Sequence, residues 1–505
     1  MKEVGDKFGA GELILPFVLQ SAEVMKKAVK HLERFLERSE GYTKGRVVLA
    51  TVYGDVHDIG KSLVNTILSN NGYTVYDLGK QVPVNTIIDK AIEVNADAIG
   101  LSALLVSTSK QMPICVQELD KRGLNVPVLI GGAAINRRFG RRTMFVEGER
   151  AYAPGVFYCK DAFEGLDTVE ALMDLSNRES LVRKLVDEAR RDVFLHSAVG
   201  KEAMGGSTDT GRSAVSTAHK VPAPPAWGIR VLRDIPLHEV LDLLDLDELF
   251  RLQWGGRGSG ESFETSVREM FRPTLARLRE DATRNGWVKP QAVYGFFPVQ
   301  SDGNTVIVYD PAALESDGGA LREVARLTFP RQEGRDRLCL ADYFRAVDSG
   351  EVDVMPLQVV TVGDAASRRF DELQAAGEYA EAYFVHGLAV EAAEAVAEWL
   401  HRRIRAELGV PVGRGKRYSW GYGACPDLDD HAVVFRLLPA QDALGMTLTT
   451  AFQLVPEQST AAMIVHHPEA KYYSIRGEGP AGEVRAPNAG LRGVPANAVS
   501  RETGQ

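Results

Sequence analysis

Cysteine is scarce in this chain: four among 505 residues, at Cys115, Cys159, Cys339 and Cys425, with no C-x-x-C pair. Such spacing argues against a disulfide framework and against a cysteine-built zinc cage. Long apolar runs are missing too. Nothing approaches the roughly 18 consecutive apolar residues of a membrane span, and Met1-Lys2-Glu3-Val4-Gly5 lacks the basic-then-apolar order of a signal peptide. A cytoplasmic location with no membrane partner is expected. Excess positive charge is also absent. The 59 Lys and Arg against 68 Asp and Glu give −9, so counterion release offers little and no nucleic-acid partner is expected.

What is present is a globular composition, 45% hydrophobic and 25% charged, which excludes a wholly disordered or collagen-like chain. At about 100 to 200 residues per domain, the length predicts roughly three domains. Leu15, Val18, Leu19, Met25, Val29, Leu32 and Leu36 recur at helical spacing within 12–40, predicting one long amphipathic helix. Its stripe needs a neighbour to bury it. Short apolar runs then alternate with helical patterns: Arg46 to Val52, Thr74 to Gly79, Ala98 to Leu104, Pro127 to Gly132 and Val156-Phe157. This β/α series predicts a doubly wound parallel sheet, of flavodoxin or Rossmann type, with its ligand beyond the carboxyl ends of the strands. Residues 197–225 are rich in Gly, Ser, Thr, Ala and Pro and read as a flexible linker. A mixed α+β domain follows over 226–478, then a low-complexity tail over 479–505.

Asp55-Val56-His57-Asp58-Ile59-Gly60 follows the first β-run and opens a helix. A neutral imidazole can ligate a metal, and a carboxylate two positions away can take the other ring proton and fix the tautomer. Gly60 removes a side chain where a bulky group would approach backbone. A loop histidine satisfied by an aspartate fits the hexapeptide equally well.

Two further strand ends extend the pattern: Ser102-Ala103-Leu104 and Gly131-Gly132. Together, D-x-H-x-x-G, S-x-L and G-G resemble the cobalamin-binding domain of the cobalamin-dependent methionine synthase family. The resemblance implies that His57 is the lower axial ligand of cobalt and that Asp55 is its hydrogen-bond partner. It implies that Ser102, Leu104, Gly131 and Gly132 line the slot for the nucleotide tail, with Gly60 a further cofactor-binding position. Thr108 matches the serine that ends the family's proton relay and keeps its hydroxyl. By the same resemblance residues 1–42 correspond to a partial helical cap, in which Phe17 would either cover the corrin or pack as plain helix, and 43–196 to the cobalamin domain.

The run from Arg417 to Asp427 joins a cation, a glycine-tyrosine turn and a proline stop. A guanidinium fork suits a carboxylate, and tyrosine offers a flat face to a purine. The run is similar to R-x-x-x-G-Y-x-x-C-P in the family's activation domain, which binds S-adenosylmethionine. Segments at 295–303, 341–344, 395–401 and 467–473 resemble that domain in the same order. The resemblance implies that Arg417 holds the methionyl carboxylate, with Tyr422, Ala424, Glu394, Tyr472 and Asp245 also contacting this cofactor.

The resulting expectation is a methyltransferase piece that binds cobalamin and remethylates it reductively with S-adenosylmethionine. The family's overall reaction passes a methyl group from methyltetrahydrofolate to homocysteine. The modules for those substrates, including the family's zinc site, have no counterpart in this sequence and are expected as partners. A flavodoxin-like electron donor and a monomeric state are expected as well. A corrinoid carrier or sensor without catalysis is the alternative, and the Arg417 loop separates the two.

Overall fold

The computed structural model describes residues 3, 4, 7, 13–32, 43–104, 106–133, 135–192, 212–256, 261–316, 321–332, 336–473 and 475. Expectations for 33–42, 193–211 and 479–505 lie outside these residues.

The first domain is a parallel sheet of β1 (Arg46–Thr51), β2 (Thr74–Asp77), β3 (Ala98–Ser102), β4 (Val128–Gly131) and β5 (Val156–Tyr158), in the order β2-β1-β3-β4-β5. Alternation along each strand feeds two cores. Val47 and Leu49 pack with Ile67 and Leu68 of α2 (Ile59–Asn70) and with Leu166 and Val169 of a later helix, Ala162–Met173. Val48 and Ala50 pack on the opposite face with Ile87 and Ile88 of α3 (Val84–Glu93) and Met112 and Val116 of α4 (Gln111–Lys121). Strand order reverses between β1 and β3, which places the ligand crevice of such sheets beyond their carboxyl ends.

The second domain is a seven-stranded antiparallel sheet. Its strands are β6 (Gly228–Leu232), β7 (Gln291–Asp302), β8 (Thr305–Tyr309), β9 (Glu323–Thr328), β10 (Asp353–Thr361), β11 (Lys416–Ser419) and β12 (Ser459–Val465). They run β9-β8-β7-β10-β12-β11, with β6 off this path, paired to residues 292–296 of β7 where β8 does not reach. Every residue of β10 is buried, because helices cover one face and loops and short helices the other. The long helix α5 (Tyr379–Glu407) presents Val385, Leu388, Ala392, Val396, Leu400 and Ile404 to the sheet at helical spacing.

The N-terminal helix α1 (Leu15–Leu32) bridges the two domains. Its Ala22 carbonyl accepts from Asn70 Nδ2 at 3.4 Å on α2, and its Glu23 Oε1 accepts the Ala380 amide at 2.7 Å on α5. Val18, Leu19 and Ala22 are buried, whereas Phe17 stays 40% exposed.

The segment expected to swing as a linker is pinned where it is described. Arg212 donates to Ser301 Oγ and to the Asp342 and Phe344 carbonyls, and Ser213 donates to Asp342. Arg345 holds the Thr217 and His219 carbonyls. Composition alone reads such a stretch as mobile, but buried charge partners in the second domain fix residues 212–219 onto it.

Candidate functional site

The loop between β1 and α2 carries the first cluster. Asp55 is fully buried and has no contact with water, so it must be satisfied internally. Its Oδ1 bonds His57 Nδ1 at 2.8 Å and accepts the His57 amide at 3.0 Å. Its Oδ2 accepts the Leu104 amide at 2.9 Å and the Thr108 hydroxyl at 2.5 Å. Burial alone would raise the Asp55 carboxyl, but the bonds from His57 and Thr108 and the imidazole's charge hold it at about 2. For His57, burial disfavours the charged ring, yet Asp55 and the charge of Glu457 outweigh it and raise its pKa above the ordinary 6.5. The structure thus brings His57, Asp55 and Thr108 into one hydrogen-bonded chain. The Leu104 contribution is its backbone amide, since its side chain is 38% exposed.

Gly60 has no heavy atom within 4 Å of where a Cβ would stand, so space is open at the start of α2. Ser102 and Gly131 end paired strands β3 and β4. Gly132 has φ of +128°, and a Cβ there would lie 1.9 Å from the Ala103 carbonyl oxygen, so only glycine serves.

The second domain seats directly on this loop. Gln453 Oε1 accepts the Val56 amide at 2.9 Å and Thr449 Oγ1 donates to the Gly54 carbonyl at 3.0 Å. Gly54 has φ of +83°, and a Cβ on it would meet the Ala451 Cβ at 2.7 Å. His57 Nε2 faces Glu457 Oε1 at 4.0 Å, and His386 Nε2 bonds that same oxygen at 3.2 Å. Burial would raise the Glu457 carboxyl, but the two imidazoles and Lys80 hold it at about 2. Sequence reasoning missed Glu457, Gln453 and His386. No spacing signal joins residues so far from His57 along the chain.

The second cluster forms where α5 crosses β11. Glu391, Glu394, Glu398 and His401 share one face of the helix at helical spacing, a pattern visible in the sequence. Arg417 on β11 is 6% exposed, and its Nη2 donates to Glu394 Oε2 at 2.9 Å. Its Nη1 is buried without a partner. Glu391 is buried, and its Oε1 accepts the Asp245 amide at 3.3 Å. Desolvation and then the charges of Glu248 and Glu394 push its carboxyl up to about 8. Tyr422 and Tyr472 keep 46% and 38% of their surface, while Ala424 is buried. Asp245, Glu394, Arg417 and Tyr422 lie within electrostatic reach of Glu248, and Asp245 and Glu394 of Glu391, two acids that sequence reasoning passed over. A buried guanidinium nitrogen without a partner suits an anionic group, and the surrounding acids suit a cation. One ligand carrying both would satisfy the whole.

Comparison with known proteins adds three observations. A family model described as the activation domain of vitamin B12 dependent methionine synthase matches residues 237–478, and B12 binding domain models match 45–153 and 1–33. Methionine synthase of Mycobacterium tuberculosis is 40% identical across 94% of this chain, and that of Mycobacterium leprae 38% across 94%. The chain spans 43% of the length of each. A solved structure of the MetH reactivation domain bound to AdoHcy aligns at 24% identity over 51% of this chain and 84% of that one, with a TM-score of 0.46.

Proposed function

The chain belongs to the family of vitamin B12-dependent methionine synthases, whose B12-binding and activation domains it carries, and from that premise we propose that it binds cobalamin through His57 and remethylates it with S-adenosylmethionine. The observation that carries this reading is the His57, Asp55 and Thr108 chain. With Nδ1–H committed to the Asp55 carboxylate, Nε2 is the nitrogen left to ligate, and Asp55 raises its basicity. The donor set therefore fits a histidine-ligated cobalt, and the open backbone at Gly60 fits a bulky group beside it. Bound cobalamin would supply a cobalt centre able to carry a methyl group.

This chain's own residues then have two duties. Nε2 cannot ligate a metal and hold a proton facing Glu457 at the same time. Ligation and the contact at 4.0 Å exclude each other. On releasing the metal, His57 takes up a proton that Asp55 and Glu457 both stabilise. In the second domain, Arg417 Nη1 receives the carboxylate of S-adenosylmethionine, and Glu394 and Asp245 balance its ammonium and sulfonium charges. Tyr422 and Tyr472, each with an exposed face, flank the nucleoside. A bare corrinoid carrier has no use for such a site.

In this reading the whole reaction is methyl transfer from methyltetrahydrofolate to homocysteine, in the cytoplasm. The modules handling those substrates and a flavodoxin-like electron donor are the partners. The test is the visible absorption spectrum of methylcobalamin bound to the chain. His57→Gly is expected to keep the cofactor and lose the spectrum of axial histidine ligation. An unchanged spectrum sinks the ligand assignment.

A further inference from the structure

A third cluster lies away from both sites, at the edge of the second sheet. Asp353 opens β10 and is fully buried, and His466 follows β12 at 1% exposure. Their side chains share a hydrogen bond of 2.7 Å between Oδ1 and Nε2. His219, from the segment strapped across the domain, closes the group. One ligand atom from each of the three lies within 4.8 Å of the others. Three ring nitrogens here are buried without a hydrogen-bond partner: Nδ1 and Nε2 of His219, and Nδ1 of His466.

Hydrogen bonding accounts for the neighbouring His467 and for His466 Nε2, but for neither ring nitrogen of His219. His467 Nε2 donates to the Ser216 carbonyl at 2.8 Å, and its Nδ1 accepts the Glu469 amide at 3.0 Å. His219 touches it only edge to face, with ring centroids 4.2 Å apart. Buried polar atoms left unmatched are costly, and a Lewis acid is one group that satisfies imidazole nitrogens and a carboxylate together.

We propose that His219, Asp353 and His466 form a binding site for a divalent transition metal of the zinc class. Two imidazoles and one carboxylate are a borderline N/O set that suits zinc and leaves a fourth position open. An ion entering between Asp353 and His466 displaces the proton they share. The strap, β10 and β12 are distant in sequence, so the ion would clip the exit of the interdomain segment to the sheet. This site is independent of His57 and of the family's cysteine-ligated zinc, which is expected in another module.

The test uses the full chain, stripped by a chelator and free of cobalamin, titrated with zinc against a chromogenic competitor. One equivalent should bind, with zinc-edge X-ray absorption showing nitrogen and oxygen neighbours and no sulfur. His219→Ala leaves the buried pair intact. It should weaken zinc binding by more than the roughly 10- to 100-fold that loss of a mere outer partner costs, with unchanged circular dichroism. Absence of a stoichiometric zinc in the unaltered chain overturns the proposal. So does sulfur ligation, or equal affinity in His219→Ala.

Discussion

Glu391 lies at 3% exposure among other acids, and its carboxyl is pushed up to about 8. A raised folded pKa means that its contribution to stability is complete below the ordinary value of 4.5 and is lost as pH climbs through about 8. Melting temperature should therefore fall across that window more steeply in the native chain than in Glu391→Gln. Parallel curves would refute the assignment. Arg417→Ala should weaken S-adenosylmethionine roughly 10- to 100-fold in calorimetric titration while sparing cobalamin, the worth of a charged hydrogen bond. Equal loss of both would mark misfolding. Thr108→Val removes the donor to a buried carboxylate and should cost about 1.5 to 3 kcal/mol in denaturant unfolding, whereas Thr108→Ser should keep most of it. Valine and serine variants of equal stability would remove Thr108 from the relay. Asp55 and His57 were legible because a strand end and a helix start bracket them, whereas Thr108 was reached only through the family resemblance. Glu391 was not, since an acid on a helix reads as solvated until Glu248 and the sheet bury it.

Strands and helices of the first domain were legible for a plain reason. The inner runs, such as Arg46–Thr51 and Ala98–Ser102, are apolar on both faces and bounded by turn residues, as a strand covered by helices on either side must be. The second domain was read only as mixed α+β, because antiparallel pairings such as Leu357 with Gly295 and Met463 join segments whose register no local pattern encodes. Composition over 197–225 does not reveal that Ser301 and Asp342 hold Arg212 and Ser213. Gly132 sets a limit on the turn after β4. Gly132→Ala should cost about 3 kcal/mol or more, from positive φ together with the clash at the Ala103 carbonyl, as read by chemical denaturation. Native stability in that variant would show that the turn relaxes freely.

For the molecule as a whole, one contact between the two domains, His57 with Glu457, depends on the charge of a ring, beside the uncharged-donor bonds to Gln453 and from Thr449. Against the effect of burial, Asp55, in its own domain, and then Glu457, across the interface, raise the His57 pKa, so the part that Glu457 adds favours docking while the ring is protonated and is lost as pH rises through the raised value. Glu457, held at about 2, stays ionised throughout. Fluorescence transfer between a dye on each domain should report docking that weakens as pH rises above the ordinary histidine range, and Glu457→Gln should flatten the response. A pH-independent signal in the native chain would remove His57 from control of docking. None of this was legible beforehand, because Gln453 and Glu457 stand some four hundred positions from the loop they cover. Under the proposed ligation, a single ring nitrogen has only one lone pair to give, so the colour of a bound corrinoid would double as a ruler: an ordinary spectrophotometer would register posture, with no label attached.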